Sequence, residues 1–499
     1  FYSPKQGGHL AVIGGPTTGK TTLLQTLMWQ MVKRSVREVN LLIAGLSGSV
    51  LRSFSSFPHC LGILQEEEEG KVFFYHLERL FAERKKQLAG LNFYQYKQVG
   101  KGQMAEVFFI IDGYGAFTKG LEERQEELML KIAAEGVSYG IYLMIAASGV
   151  SEMPGRMFEK IKKTIALEMS DKFAYGDILR KYHISVFPAD GVKGRGLCKE
   201  AEEILEFQTA IPFKDLQDFQ RMEQIEKEGR TCSQMLAKKE NERLNKFPVI
   251  PSKPDSTELH QEYMISGKKD VLPLGYDRES GLVEFLNIEK GRCFLISGDV
   301  RSGKKNFLSH LTNMLLLQKK KVVIYDSTGE MEAFKKKEGV IYVSHWRELQ
   351  NETKFQTCEK KKADSQPEAE KYCLVINHLW EFISSLYGKE TTASERQFWE
   401  REVQEGSYFS FMAGICLAKE HYEEMSTVFF KEFVKKQWGI HLGGNVSAQR
   451  VLSMDDLGYL QQTRKEKPGT GYLKTGEGSE TKNLKLPFYK QVITKEECG

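Results

Sequence analysis

One run of nine residues limits what this chain can fold into more than any other: Gly14-Gly15-Pro16-Thr17-Thr18-Gly19-Lys20-Thr21-Thr22. It follows the apolar run Leu10-Ala11-Val12-Ile13 and precedes the helical pattern Leu23-Leu24-Gln25-Thr26-Leu27-Met28. Strand, glycine loop and helix, with the spacing G-x-x-x-x-G-K-[ST], make a P-loop. Gly14 and Gly19 let the backbone close around phosphates and aim N–H groups at them. The helix starts at the loop, so its positive end faces the anion. Lys20 reaches toward the β- and γ-phosphates, and the Thr21 hydroxyl is a Mg²⁺ ligand. The expected ligands are ATP and Mg²⁺, bound by residues Gly14 to Thr22.

The next informative stretch is Val107-Phe108-Phe109-Ile110-Ile111-Asp112. A continuous apolar run is the mark of a parallel strand buried on both faces. Its terminal acid emerges at the carboxyl edge of the sheet, beside the P-loop, where Asp112 holds Mg²⁺ through water. This reads as a Walker B strand. The following residue is Gly113, where many translocating ATPases place a Glu that activates the attacking water. Glu122, Glu123 and Glu135 are the substitutes in sequence, or else solvated helix surface. No catalytic residue is assigned. Gly140–Ser148 reads as the next strand, and Ser148 either senses the γ-phosphate or is a strand-end hydroxyl. Arg156 is a candidate finger reaching a neighbour's nucleotide, or a surface Arg in a loop. Gly194–Leu197 and Ile204–Gln208 read as a closing hairpin.

At 499 residues there is chain for two or three domains. The boundaries read as a P-loop domain over 1–212, a helical and proline-rich linker over 213–270, and a second domain over 271–499. The second half follows the plan of the first. Cys293–Ser297 is a strand, and Gly298-Asp299-Val300-Arg301-Ser302-Gly303-Lys304-Lys305 has P-loop spacing. The hydroxyl position holds Lys305, and Tyr372–Ile376 ends in neutral Asn377 where the first half has Asp112. Both metal positions have changed together, so this half reads as a P-loop fold without ordinary Mg–ATP chemistry, or as an anion site without metal. Phe411–Ala418 matches the strand after Walker B, Gly469–Leu473 matches the Gly194 hairpin, and Thr357–Glu370 reads as a mobile loop. The expected fold is α/β, with two tandem P-loop domains, each a mainly parallel sheet flanked by helices.

A net charge of +4 is too small to argue for nucleic acid. Eight scattered cysteines without a C-x-x-C pair suggest neither zinc nor a disulfide framework, and fit a reducing compartment. No apolar run approaches membrane-crossing length. The chain starts at Phe1, not Met, and reads as part of a longer protein.

In this order the motifs resemble the C-terminal tandem ATPase region of FtsK/SpoIIIE-type motors, specifically the EssC/EccC family of bacterial type VII secretion. The matching residues are Gly14–Thr22, Ser53–His59, Val107–Asp112, Gly140–Ala147, Ile161–Leu167, Gly194–Leu197, Glu206–Ala210, the linker ending in Phe247–Pro251, and Leu272–Gly275. The resemblance implies a hexameric motor that acts in the cytoplasm and is anchored in the plasma membrane. It implies small WXG-class proteins as cargo, docked through a C-terminal signal on the last ATPase domain, and other secretion components as partners. Lys20, Thr21 and Asp112 carry over as nucleotide residues. Gly113, and Ala44 where relatives often carry an acid, depart from the pattern and point to weak or no hydrolysis. The competing readings are a DNA translocase, which the near-neutral charge and tandem domains disfavour, and a non-hydrolysing nucleotide-binding scaffold.

Overall fold

A computed structural model of the chain describes residues 2–45, 50–66, 69–100, 102–214, 216–239, 246–351, 371–416 and 421–490. The expected loop Thr357–Glu370 lies outside these residues, as do Leu417 and Ala418 of the expected strand Phe411–Ala418. The chain divides into two compact units, Phe1–Val249 and Ile250–Gly499.

Unit 1 is built on an eight-stranded sheet. Its strands are β1 (Leu10–Ile13), β2 (Val39–Ala44), β3 (Cys60–Leu64), β4 (Glu106–Asp112), β5 (Ile141–Ala147), β6 (Lys163–Leu167), β7 (Arg195–Glu200) and β8 (Glu203–Gln208). They lie in the order β3-β2-β4-β5-β1-β6-β7-β8. The first six are parallel and the last two form an antiparallel hairpin on the edge. The apolar runs of β4 and β5 need cover on both faces, and they have it. On one face the helix Lys20–Met31 buries Leu23, Leu24, Met28 and Met31 with Val12, Phe108 and Tyr142. On the other, the helices Gly70–Leu88 and Glu123–Glu135 bring Phe73, Leu77, Phe81, Met129 and Ile132 onto Phe109, Leu143 and Ile145. Each fully buried side chain of this kind stabilises the fold by about 1.5–3 kcal/mol.

The residues read as a linker are shared between the units. The helix Asp218–Lys239 lies on unit 1, where Ile225 joins the cluster of Leu51, Phe54 and Phe57, and the Ser233 hydroxyl donates to Ser56 O at 2.7 Å. Phe247 follows in extended chain, its N–H donating to Leu61 O at 2.6 Å and its ring 5.5 Å from that of Phe73. The helix Ser256–Ser266 belongs to unit 2, with Leu259 buried and the Ser256 hydroxyl 2.8 Å from His310 Nδ1. Asp255 caps that helix by accepting the N–H groups of Thr257 and Glu258.

Unit 2 has a ten-stranded sheet. Its strands are β9 (Val271–Asp277), β10 (Val283–Asn287), β11 (Cys293–Gly298), β12 (Lys321–Tyr325), β13 (Val340–Val343), β14 (Tyr372–Ile376), β15 (Phe409–Cys416), β16 (Trp438–Gly444), β17 (Glu466–Thr475) and β18 (Lys482–Lys485). The order is β10-β9-β18-β17-β16-β11-β15-β14-β12-β13. Its parallel part, β13-β12-β14-β15-β11-β16, has the same order as β3-β2-β4-β5-β1-β6 of unit 1. The added strands β17, β18, β9 and β10 continue it antiparallel. No described helix is long and apolar enough to cross a membrane. The six described cysteines are free thiols.

Candidate nucleotide-binding site

The carboxyl edge of the unit 1 sheet gathers the loop after β1, the end of β4 and the loop after β5. The loop after β1 is fastened at its start, where Gly14 N–H donates to Ala147 O at 3.2 Å and Gly15 N–H to Glu168 O at 2.8 Å. Gly19 opens the helix Lys20–Met31 at φ 104°, in left-handed backbone where glycine is favoured. A Cβ there would also stand 3.0 Å from Gly194 N and 3.2 Å from Gly194 Cα. Gly194, at the entry to the β7–β8 hairpin, braces the loop by donating its N–H to Thr18 O at 2.8 Å. The Thr18 hydroxyl turns inward to Gly15 O at 2.8 Å. Thr17 takes φ 61° at the loop's outer turn.

Lys20 folds back over the loop and donates to the carbonyls of Gly14 and Gly15, each at 2.6 Å. Burial pulls its pKa below the ordinary lysine value, while the carboxylates of Asp112 and Glu152 push the other way. The Thr21 hydroxyl lies 3.0 Å from both Asp112 Oδ1 and Oδ2, so it donates between them. A hydroxyl and a carboxylate meeting at one point are the hard oxygen donors that Mg²⁺ takes, alongside phosphate oxygens and waters. Among the described residues there is no cluster of three or more His, Cys, Asp or Glu that would hold a metal without such outside ligands. These side chains therefore fit a Mg²⁺ that arrives with a phosphate.

Of the candidate acids, Glu122 caps the helix Glu123–Glu135 and pairs with Lys71 at 3.2 Å. Glu135 sits at the far end of that helix, near Lys85, and leads toward the amino edge of β5. Arg156 is exposed on the short helix Gly155–Phe158. Glu152 was missed in the sequence. It follows β5 by five residues, and only the folded loop brings it near Lys20.

The loop after β11 has the same backbone shape, with Arg301 at φ 62° and Gly303 at φ 101°. Lys304 again donates to two loop carbonyls, Gly298 O at 3.0 Å and Asp299 O at 2.6 Å. Its surroundings differ chemically. Asn377 donates through Nδ2 to Asp326 Oδ1 at 3.3 Å and to Glu330 Oε2 at 3.2 Å. An Asp at that position would set a third carboxylate against these two. Burial alone would raise the Asp326 pKa, but bonds from Met331, Tyr342, Thr328 and Asn377 hold it below the ordinary value. Asp299 adds a negative charge to the loop itself, at a position where the first loop has uncharged Gly15. Lys304→Ala is therefore expected to leave nucleotide stoichiometry unchanged, as read by equilibrium dialysis with a labelled ATP analogue.

The FtsK/SpoIIIE family matches residues 2–183. The first unit carries an FtsK/SpoIIIE domain. The chain is 25% identical over 295 residues to the type VII secretion system protein EssC of Staphylococcus aureus (strain MRSA252), a match covering 57% of this chain and 19% of that protein. It is 23% identical over 333 residues to the ESX secretion system protein EccC of Thermomonospora curvata, covering 61% and 23% respectively. The chain is homologous to both and spans about a fifth of their length. Among solved structures, ATPases 2 and 3 of EssC from Geobacillus thermodenitrificans superpose with a TM-score of 0.78 at 16% identity, over 98% of this chain and 93% of that one. ATPases 2 and 3 of Thermomonospora curvata EccC, solved with a signal sequence peptide, give 0.55 at 17% identity, over 98% and 90%. The tandem P-loop fold is thus shared, with the FtsK/SpoIIIE domain as its first member.

Proposed function

We propose that this chain is the ATP-binding part of a type VII secretion motor, working on small WXG-class proteins, with nucleotide held in unit 1 and little or no hydrolysis. The observation that carries this reading is the meeting of Lys20, Thr21 and Asp112 on a braced phosphate loop. Gly14 to Thr22 supply the backbone cradle. Lys20 leaves its two carbonyls for the β- and γ-phosphates. Thr21 and Asp112 give oxygen ligands to Mg²⁺, which neutralises phosphate charge when bound. Unit 2, whose loop carries Asp299 and whose metal positions hold Lys305 and Asn377, acts in regulation or cargo docking. In the full-length protein the motor assembles as a hexamer on the cytoplasmic face of the plasma membrane. Homology to EssC and EccC supports secretion over DNA movement, as does the small net charge of +4.

The test is a titration of the chain with a labelled C-terminal peptide from a WXG-class protein of the same genome, beside a duplex DNA titration. Saturable peptide binding that survives moderate salt, with DNA binding absent or lost to salt, is expected. Tight DNA binding without peptide binding would overturn the secretion reading.

A further inference from the structure

The unit 1 loop has an ammonium, a hydroxyl and a metal-binding acid, but no side chain at position 113 to activate water. Gly113 sits at φ 84°, ψ 66°, and a Cβ there would meet nothing within 4 Å. Left-handed backbone, not crowding, is what disfavours a glutamate at that position.

A carboxylate reaches the same corner from another strand. β5 lies between β1 and β4 in the sheet, so the loop that leaves it emerges between the P-loop and the Asp112–Gly115 segment. A 3-10 turn, Val150–Glu152, bends that loop and delivers Glu152. Glu152 Oε2 accepts two backbone N–H groups, from Ser148 at 3.1 Å and from Gly115 at 3.2 Å. Gly115 makes room for it, since a Cβ there would stand 2.9 Å from the Glu152 carboxyl carbon. Asp112 and Glu152 are the two carboxylates that act on the Lys20 charge.

From this arrangement we infer that Glu152 is the water-activating carboxylate of the P-loop site. This rests on the nucleotide reading above. Both amides bond Oε2 and fix the carboxylate plane, so Oε1 is the oxygen that takes the proton. The oxygen of the attacking water bonds to the γ-phosphorus. The bond from that phosphorus to the β–γ bridging oxygen breaks, and ADP leaves with the electron pair. The water proton passes to Glu152 Oε1 and then to bulk solvent. The base is thus held by one amide just past β5 and one in the short helix Tyr114–Phe117.

The competing role is a pin that ties Ser148 to Gly115. Glu152→Gln separates the two, because the glutamine oxygen still accepts both N–H groups while the base is gone. Single-turnover hydrolysis of γ-labelled ATP by the full 499-residue chain is measured beside binding of a fluorescent non-hydrolysable ATP analogue. Slow wild-type turnover is expected, with a drop of about 100-fold or more in Glu152→Gln and unchanged analogue binding. Nucleotide recovered from the variant should be intact ATP. If Glu152→Gln loses analogue binding, Glu152→Asp must retain both binding and measurable turnover. Wild-type turnover in the Gln variant, or none in a wild-type chain that binds the analogue, overturns the inference. Failure of the wild-type chain to bind the analogue overturns the nucleotide reading instead.

Discussion

Lys20→Ala is expected to weaken nucleotide binding severely while leaving unit 1 folded. In the structure the ammonium is lodged on Gly14 O and Gly15 O, inside the loop whose amides would face phosphate. Burial already disfavours its charge there, and Asp112 and Glu152 offset part of that penalty. A bound triphosphate supplies the full counter-charge. Removing one partner of a buried, charge-assisted contact costs about 2–5 kcal/mol, or roughly 30- to 5000-fold in Kd. The two carbonyls left behind belong to the loop turn, whose backbone is otherwise fastened to Ala147, Glu168 and Gly194. The change in folding stability should stay within about 1 kcal/mol. Calorimetric titration with a Mg²⁺–ATP analogue, paired with urea unfolding, checks both halves. Near-wild-type affinity in the variant would show that the loop is not the nucleotide site.

Acid loosens unit 2 well above the range in which carboxylates titrate. Burial holds His310 and His441 at a pKa of about 4, against the ordinary 6.5. His310 Nε2–H donates to Pro273 O at 2.8 Å, and Ser256 Oγ lies 2.8 Å from Nδ1. His441 Nδ1 lies 3.0 Å from Ser297 Oγ, and its Nε2 is buried without a hydrogen-bond partner. Both rings are neutral when folded and gain a proton when unfolded. A base with a lowered folded pKa contributes its full stability above 6.5 and loses it as pH falls from 6.5 toward 4. Each ring then gives up about 2 kcal/mol between pH 7 and pH 5, and the pair about 4. Carboxylates held low, such as Asp326 and Asp456, add their losses only below the ordinary carboxylate range. Unit 1 has the same device in smaller measure. His9 Nδ1 accepts Leu143 N–H at 2.9 Å, and burial pulls its pKa to about 4, with burial lowering His59 as well. Tryptophan fluorescence follows unit 2 selectively, because four of the five tryptophans (Trp346, Trp380, Trp399 and Trp438) lie there. Urea midpoints that do not fall between pH 7 and pH 5 would contradict this.

The parts of the fold that could be read from sequence are those written locally. The P-loop depends on a fixed spacing between a strand and a helix, so Leu10–Met28 carries its own signal. β4 and β5 announce themselves through long apolar runs, and the Gly194 hairpin through its glycines. The strands that went unread are short or lie off the pattern. β3 follows Pro58 and His59 and contains Gly62. β13 is the edge strand Val340–Val343, and β16 carries three glycines and a histidine in seven residues. The helix Asp218–Lys239 reads in sequence only as part of a linker, yet a narrow stripe including Ile225 seats it on unit 1. At the site, Lys20, Thr21 and Asp112 were legible because each belongs to a spaced motif. Glu152 was not, since its position is set by where β5 inserts in the sheet and by a bend in the following loop. The sequence also shows that Asn377 replaces an acid without showing why. The reason is the neighbouring pair Asp326 and Glu330, brought there by β12 and the turn after it.

Two P-loops of one backbone shape, one chemically complete and one rebuilt around Asp299, Lys305 and Asn377, should bind nucleotide unequally. The direct measurement is the stoichiometry of a non-hydrolysable ATP analogue on the intact chain, by isothermal calorimetry with and without Mg²⁺. One molecule per chain, weakened when Mg²⁺ is withheld, is the expected result. Two per chain would contradict the reading of unit 2, and none would contradict the reading of unit 1.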